Sequence, residues 1–166
     1  MAMRILFLDV DGVLNSTRTY IASGGYPKFL HQRQGFDWVA IKLLQRFCDS
    51  SGVQIVLSSD WRGSFTAKEV GTAFGLPIID STPVLVEEIR GVEIKAWLDA
   101  HPDVEVYAIL EDEAEMLPEQ ESRVVRTDPQ EGMTWRDFSR LCPLFGENPF
   151  SGQARDDAWV QQIGWM

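Results

Sequence analysis

Cysteine is scarce in this chain, two in 166 residues, and Cys48 and Cys142 lack the paired spacing of a metal site or a disulfide framework. Both read as packed thiols, and a chain of this length buries a core without covalent staples. Long apolar runs are missing too. No stretch approaches the roughly 18 residues that cross a bilayer. The N-terminus runs into a strand pattern with no signal-peptide layout, so a cytoplasmic location without a membrane partner is expected. Basic residues are outnumbered, 15 Lys and Arg against 25 Asp and Glu. The resulting net charge of −10 argues against a broad nucleic-acid footprint, which needs clustered cations to displace counterions. Repeats and low-complexity tracts are absent. What remains is the composition of an ordinary soluble globular domain.

The most informative stretch is Ile5-Leu-Phe-Leu-Asp9-Val-Asp11-Gly12-Val-Leu-Asn15. Four consecutive apolar residues suit a strand buried on both faces, and two carboxylates follow where it emerges. Gly12 permits a sharp turn there, so both acids can converge at the carboxyl edge of a sheet, where open α/β folds bind ligands. Carboxylates this close raise each other's pKa unless they share a proton or are neutralised by a hard cation such as Mg²⁺.

Residues 16 to 36 form a connection longer than the usual βα loop of about 2 to 6 residues, punctuated by Ser23-Gly-Gly-Tyr-Pro27. From Arg18 through Arg46 there are five basic residues, Arg18, Lys28, Arg33, Lys42 and Arg46, against the single acid Asp37. Such a loop beside the acids could hold an anionic substrate. A helix is expected over 37 to 50, then a buried strand at 53 to 57 ending in Ser58-Ser59-Asp60-Trp61-Arg62. A hydroxyl at a strand end, beside backbone N–H groups that open a helix, can hold a phosphate oxygen.

Further on, the pattern predicts a short helix from Thr66 to Phe74, a strand at 76 to 79 and a helix opening at Arg90. A strand from Val104 to Leu110 runs into Glu111-Asp112-Glu113. Acids here, facing the first pair, would complete an all-oxygen Mg²⁺ shell. A short strand at 123 to 127 and a helix near 134 to 141 follow. The tail carries Trp159, Ile163, Trp165 and Met166, expected to pack on the core or to form a partner surface. Strands alternating with helices require a mainly parallel sheet with right-handed crossovers.

Asp9-Val-Asp11-Gly-Val-Leu-Asn15 resembles the first motif of the haloacid dehalogenase (HAD) superfamily of phosphatases and phosphotransferases. The strand ending in Ser58, the cation near the start of the helix at 90 and the acids at 111 and 112 resemble its other three motifs, in order. Ser58-Ser-x-Trp-Arg62 and Thr127-Asp-Pro-x-x-Gly132 are similar to one subgroup, the HAD domain of Swiss Army Knife RNA repair proteins. The resemblance covers about residues 4 to 141. It implies a three-layer, Rossmann-like α/β core with a five-stranded sheet and no large cap, residues 16 to 36 being long enough only for a β-hairpin-like flap.

By the same resemblance, the chain is a Mg²⁺-dependent phosphohydrolase with Asp9 as nucleophile and Asp11 as general acid and base. Ser58 then binds the phosphoryl group and Arg90, or alternatively Lys95, bridges it to the carboxylates. Ser59 and Arg62 are further candidates for the phosphate site, and Arg18, Lys28 and Arg33 for the rest of the substrate. The metal ligands would come from Asp9, Asp11, Glu111 and Asp112. Glu111 stands where the family usually has Asp, which leaves open whether Glu111 or Asp112 binds directly. The substrate would be a phosphorylated small molecule or nucleic-acid end, and the competing reading is a non-catalytic phosphate-binding module. The expected domain plan is a core over 1 to 142 and an extension over 143 to 166 packing on it.

Overall fold

The apolar run at the N-terminus lies in β1 (Met3–Leu8), the middle strand of the sheet, and Ile5 to Leu8 are fully buried. A computed structural model describes residues 2–150. Trp159, Ile163, Trp165 and Met166 lie outside the described residues.

All five strands are parallel, in the order β3-β2-β1-β4-β5, with β2 at Gln54–Leu57, β3 at Ile78–Ser81, β4 at Val104–Glu111 and β5 at Val124–Arg126. Leu6, Leu8, Ile55, Leu57 and Leu110 face one side of the sheet. Ile5, Phe7, Val56 and Ile109 face the other. The first side is covered by α2 (Trp38–Ser51), α3 (Ala67–Phe74) and α5 (Trp135–Leu141), through Ile41, Leu44, Val70, Phe74, Phe138 and Leu141. Ile94 and Trp97 of α4 (Arg90–Asp99) cover the second. The chain therefore forms a three-layer, Rossmann-like α/β fold without a large cap domain. Each of the helices on the first face starts at a side chain that accepts from the orphan N–H groups of the first turn: Asp37, Thr66 and Thr134.

The order of the strands decides where a site can form. From β1 the chain moves outward to β2 and β3, then crosses back to β4 and β5, so the carboxyl ends of β1 and β4 border the crevice where the winding reverses.

The segment from 16 to 36 differs from expectation. Instead of a β-hairpin it forms α1 (Thr17–Ser23) and a 3₁₀ turn at Arg33–Gly35. Ser16 and Thr19 cap α1 reciprocally, and Gly24 ends it in the left-handed conformation. Its start is tied to a distant loop by main-chain bonds, from Thr17 N–H to the Pro129 carbonyl (3.1 Å) and from Arg18 N–H to the Gln130 carbonyl (3.0 Å).

The turn that follows α5 packs on the core. Phe145 meets Phe47 with ring centroids 5.6 Å apart, while Arg4 donates to the carbonyls of Ser51 (2.6 Å) and Phe145. Cys48 and Cys142 are buried free thiols, and burial pushes both up to about 12, as suits packing residues. No helix among the described residues is long and apolar enough to cross a membrane.

Candidate active site

The two central strands deliver the acids. Asp9 leaves β1 nearly buried, and its Oδ1 accepts from the N–H of Val10 at 2.8 Å. Gly12 then turns with φ of 80°, and a Cβ there would stand 2.2 Å from Asp112 Oδ2. Glycine is required twice over, by the left-handed backbone and by the carboxylate lying against it. The turn is pinned from β5 by the Thr127 hydroxyl, which donates to the Gly12 carbonyl at 2.7 Å.

One oxygen each from Asp9, Glu111 and Asp112 lies within 4.8 Å of the others. Glu111 is buried, and its Oε2 has no hydrogen-bond partner. Burial raises the Asp9 carboxyl to about 6, opposed by Glu111 and Arg90 and reinforced by Asp112. Burial, and then the neighbouring Asp9, push Glu111 far above the ordinary carboxyl range. Without a cation, the two hold a proton between them. Three converging oxygens, an orphaned buried acceptor and uncompensated charge fit a hard divalent cation such as Mg²⁺.

Asp11, expected among the ligands, stands outside this trio. Its Oδ1 accepts from Asn15 Nδ2 (2.8 Å) and from the Trp61 indole (2.9 Å), while the Gly12 N–H donates to Asn15 Oδ1 (3.1 Å). Two donors on one oxygen aim the carboxylate.

Arg90 is the first residue of α4. Its neighbour Gly91 is packed so tightly that a Cβ would fall 2.5 Å from Gln120 Oε1 and 2.6 Å from the Leu117 nitrogen, which fixes the height at which the helix starts. The guanidinium reaches the Ser58 carbonyl, Asp60 Oδ1 (3.0 Å) and Glu93 Oε1 (3.4 Å), and lies 3.5 Å from Glu111 Oε2. An open cleft of about 260 Å³ is lined by Asp9, Asp11, Asp60, Arg90, Glu111 and Asp112. Five carboxylates and one guanidinium thus line one cleft.

A family model described as the HAD domain in Swiss Army Knife RNA repair proteins matches residues 5–138. The chain belongs to this HAD family. Neither the curated proteins nor the solved structures contain a match. Membership makes the chain part of a phosphohydrolase superfamily, with a candidate metal-binding acid cluster at the sheet edge.

Within this HAD domain, the four motif positions are not equally close to the cleft. Asp9, Asp11, Arg90, Glu111 and Asp112 line it. Lys95, the alternative to Arg90, is half-exposed on α4 and paired with Asp99 at 2.6 Å. Ser58 and Ser59 are buried and do not line it. The Ser58 hydroxyl has no partner, whereas the Ser59 hydroxyl accepts from the Trp61 N–H (3.2 Å) and caps the turn Asp60–Gly63. Arg62 is turned inward onto Glu93 at 2.7 Å. Arg18, Lys28 and Arg33 are exposed on the flap, away from the lining, with the Arg33 guanidinium 4.0 Å from the Trp38 ring centroid.

Three residues that sequence reasoning left without a role enter the HAD site: Asn15 on Asp11, and Asp60 and Glu93 on Arg90. Trp61, read from the sequence as lining the phosphate site or packing, donates to Asp11. Of the three, only Asn15 carried a signal, as an amide four residues beyond Asp11.

Proposed function

We propose that this HAD domain is a Mg²⁺-dependent phosphohydrolase that works through an aspartyl-phosphate on Asp9. The observation that carries the reading is the convergence of Asp9, Glu111 and Asp112 beside an aimed Asp11 and an inward Arg90. Asp9 attacks phosphorus, forming a P–O bond to its carboxylate as the ester P–O bond breaks, and Asp11 gives the departing oxygen a proton. Asp11 then takes a proton from water, the water oxygen attacks the same phosphorus, and the bond to Asp9 breaks to release phosphate. Asp9, Glu111 and Asp112 would hold Mg²⁺, which when bound would supply positive charge against anionic oxygens. Arg90 adds a fixed cation at the cleft wall, and the buried Ser58 hydroxyl a donor beneath it.

The substrate is a phosphate monoester, and the open site admits a large one. A net charge of −10 favours a small phosphorylated metabolite. The flap favours a nucleic-acid end. It exposes Arg18, Lys28 and Arg33 together with Phe29 and a stacked pair, Tyr20 and Tyr26, whose ring centroids are 4.5 Å apart. Aromatic faces interleaved with cations suit unpaired bases and their phosphates. Residues 1 to 142 form the catalytic unit on this reading, with 143 to 166 as an extension. The two free thiols suit the reducing cytoplasm.

Hydrolysis of an aryl phosphate with Mg²⁺, with EDTA and by Asp9→Asn tests the proposal. Turnover should vanish in the last two. Turnover that survives both refutes the mechanism, and phosphate binding without any turnover selects the non-catalytic module.

A further inference from the structure

Arg90 has no idle nitrogen. Its Nε faces Glu93 at 3.4 Å, Nη1 donates to the Ser58 carbonyl and lies 3.5 Å from Glu111, and Nη2 donates to Asp60 at 3.0 Å. A guanidinium that is to grip a phosphoryl group must first have an edge to offer it.

Burial decides which partner gives way. The Glu93 and Glu111 side chains are 6% and 3% exposed, and Glu93 is further held by Arg62 (2.7 Å) and by the Leu85 N–H (2.8 Å). That carboxylate is locked in place, and removing it would strand two arginines. The Asp60 side chain is 91% exposed, and its carboxylate makes no other hydrogen bond among the described residues. It also lines the same cleft as Asp9 and Asp11. An exposed ion pair of this kind is weak and exchangeable with other anions.

We propose that Asp60 is an internal competitor for the substrate phosphoryl group. In the resting protein its carboxylate occupies the outer edge of Arg90, while Glu93 fixes the inner edge. A phosphate oxygen arriving in the cleft displaces Asp60 and takes over the Nη2 contact, and after hydrolysis the carboxylate returns and helps expel inorganic phosphate. Asp60 thereby sets how tightly phosphate is held, a role that rests on the phosphohydrolase reading.

The test is calorimetric titration of inorganic phosphate, in Mg²⁺, into the wild type, Asp60→Asn, Arg90→Ala and the double variant. Loss of a competitor worth as much as an exposed pair should tighten phosphate binding in Asp60→Asn by about fivefold. In the Arg90→Ala background the same change should give no gain. Phosphate binding that is unchanged or weaker in Asp60→Asn overturns the inference. So does a gain that persists without Arg90, since that would be bulk charge relief. Failure of the wild type and Asp60→Asn alike to bind phosphate instead overturns the phosphohydrolase reading on which the inference stands.

Discussion

In metal-free buffer this protein should become less stable as the pH rises from 5 to 8, the reverse of the usual trend for a protein rich in acids. A carboxyl whose pKa is higher folded than unfolded binds its proton more tightly in the native state. Its favourable contribution is complete below the unfolded value and is lost as pH climbs through the folded one. Asp9 rises from 3.8 to about 6 and is nearly buried, so solvent screens it little. A rise of that size corresponds to about 3 kcal/mol, lost between about pH 4 and pH 7. For a chain of this length that is about 10 °C in Tm. Glu111 shifts in the same direction, so the decline continues above pH 7. Differential scanning fluorimetry in EDTA measures it directly. Mg²⁺ should restore little at pH 5 and most of the loss at pH 8, because it replaces the shared proton only once that proton is costly to keep. Glu111→Gln, an isostere of the protonated acid, should be more stable than wild type at pH 8 in EDTA and unresponsive to Mg²⁺. A metal-free Tm that holds or rises from pH 5 to 8 would refute the reasoning, as would a Glu111→Gln variant no more stable than wild type there.

Arg90→Ala should lower kcat by about 10²-fold or more, as loss of a preorganised electrostatic donor does, while Lys95→Ala changes it little; steady-state kinetics on an aryl phosphate separates the two. Gly12→Ala forces a side chain into the left-handed region and against Asp112, so it should cost about 1–2 kcal/mol of stability and raise the Mg²⁺ concentration for half-maximal activity about tenfold. If the substrate is a nucleic-acid end, kcat/KM for an oligonucleotide should fall steeply with salt while that for an aryl phosphate barely moves. Charge reversal at Lys28 and Arg33 should then damage only the oligonucleotide reaction.

The sheet and its acids were legible because strands covered on both faces must be continuous apolar runs, and each such run here stops at a polar residue with a task. Ile5 to Leu8 ending in Asp9, and Ala108 to Leu110 ending in Glu111, follow from that constraint alone. The flap was misread because its capping partner is Thr19, where the common signature has Glu or Gln, so Ser16 did not announce a helix. Glu93 was invisible for another reason. An acid in the first turn of a helix ordinarily favours the dipole and faces water, and Arg62, 31 residues earlier, together with Arg90 and the Leu85 N–H, makes its burial tolerable. Asp60 reads as turn chemistry until Arg90 is placed beside it. Contacts between remote charges leave no mark in local periodicity.

The way α1 is fastened bears on how the substrate range of this protein can change. Thr17 and Arg18 are held to Pro129 and Gln130 through peptide groups, as Met133 is to Val13, and none of these ties depends on a side chain. Residues 18 to 34 can therefore be exchanged for other surface chemistry while the corner bearing Asp9, Asp11 and Gly12 stays put. On the phosphohydrolase reading, a library confined to the flap would vary the groups that a substrate meets without retuning the carboxylates.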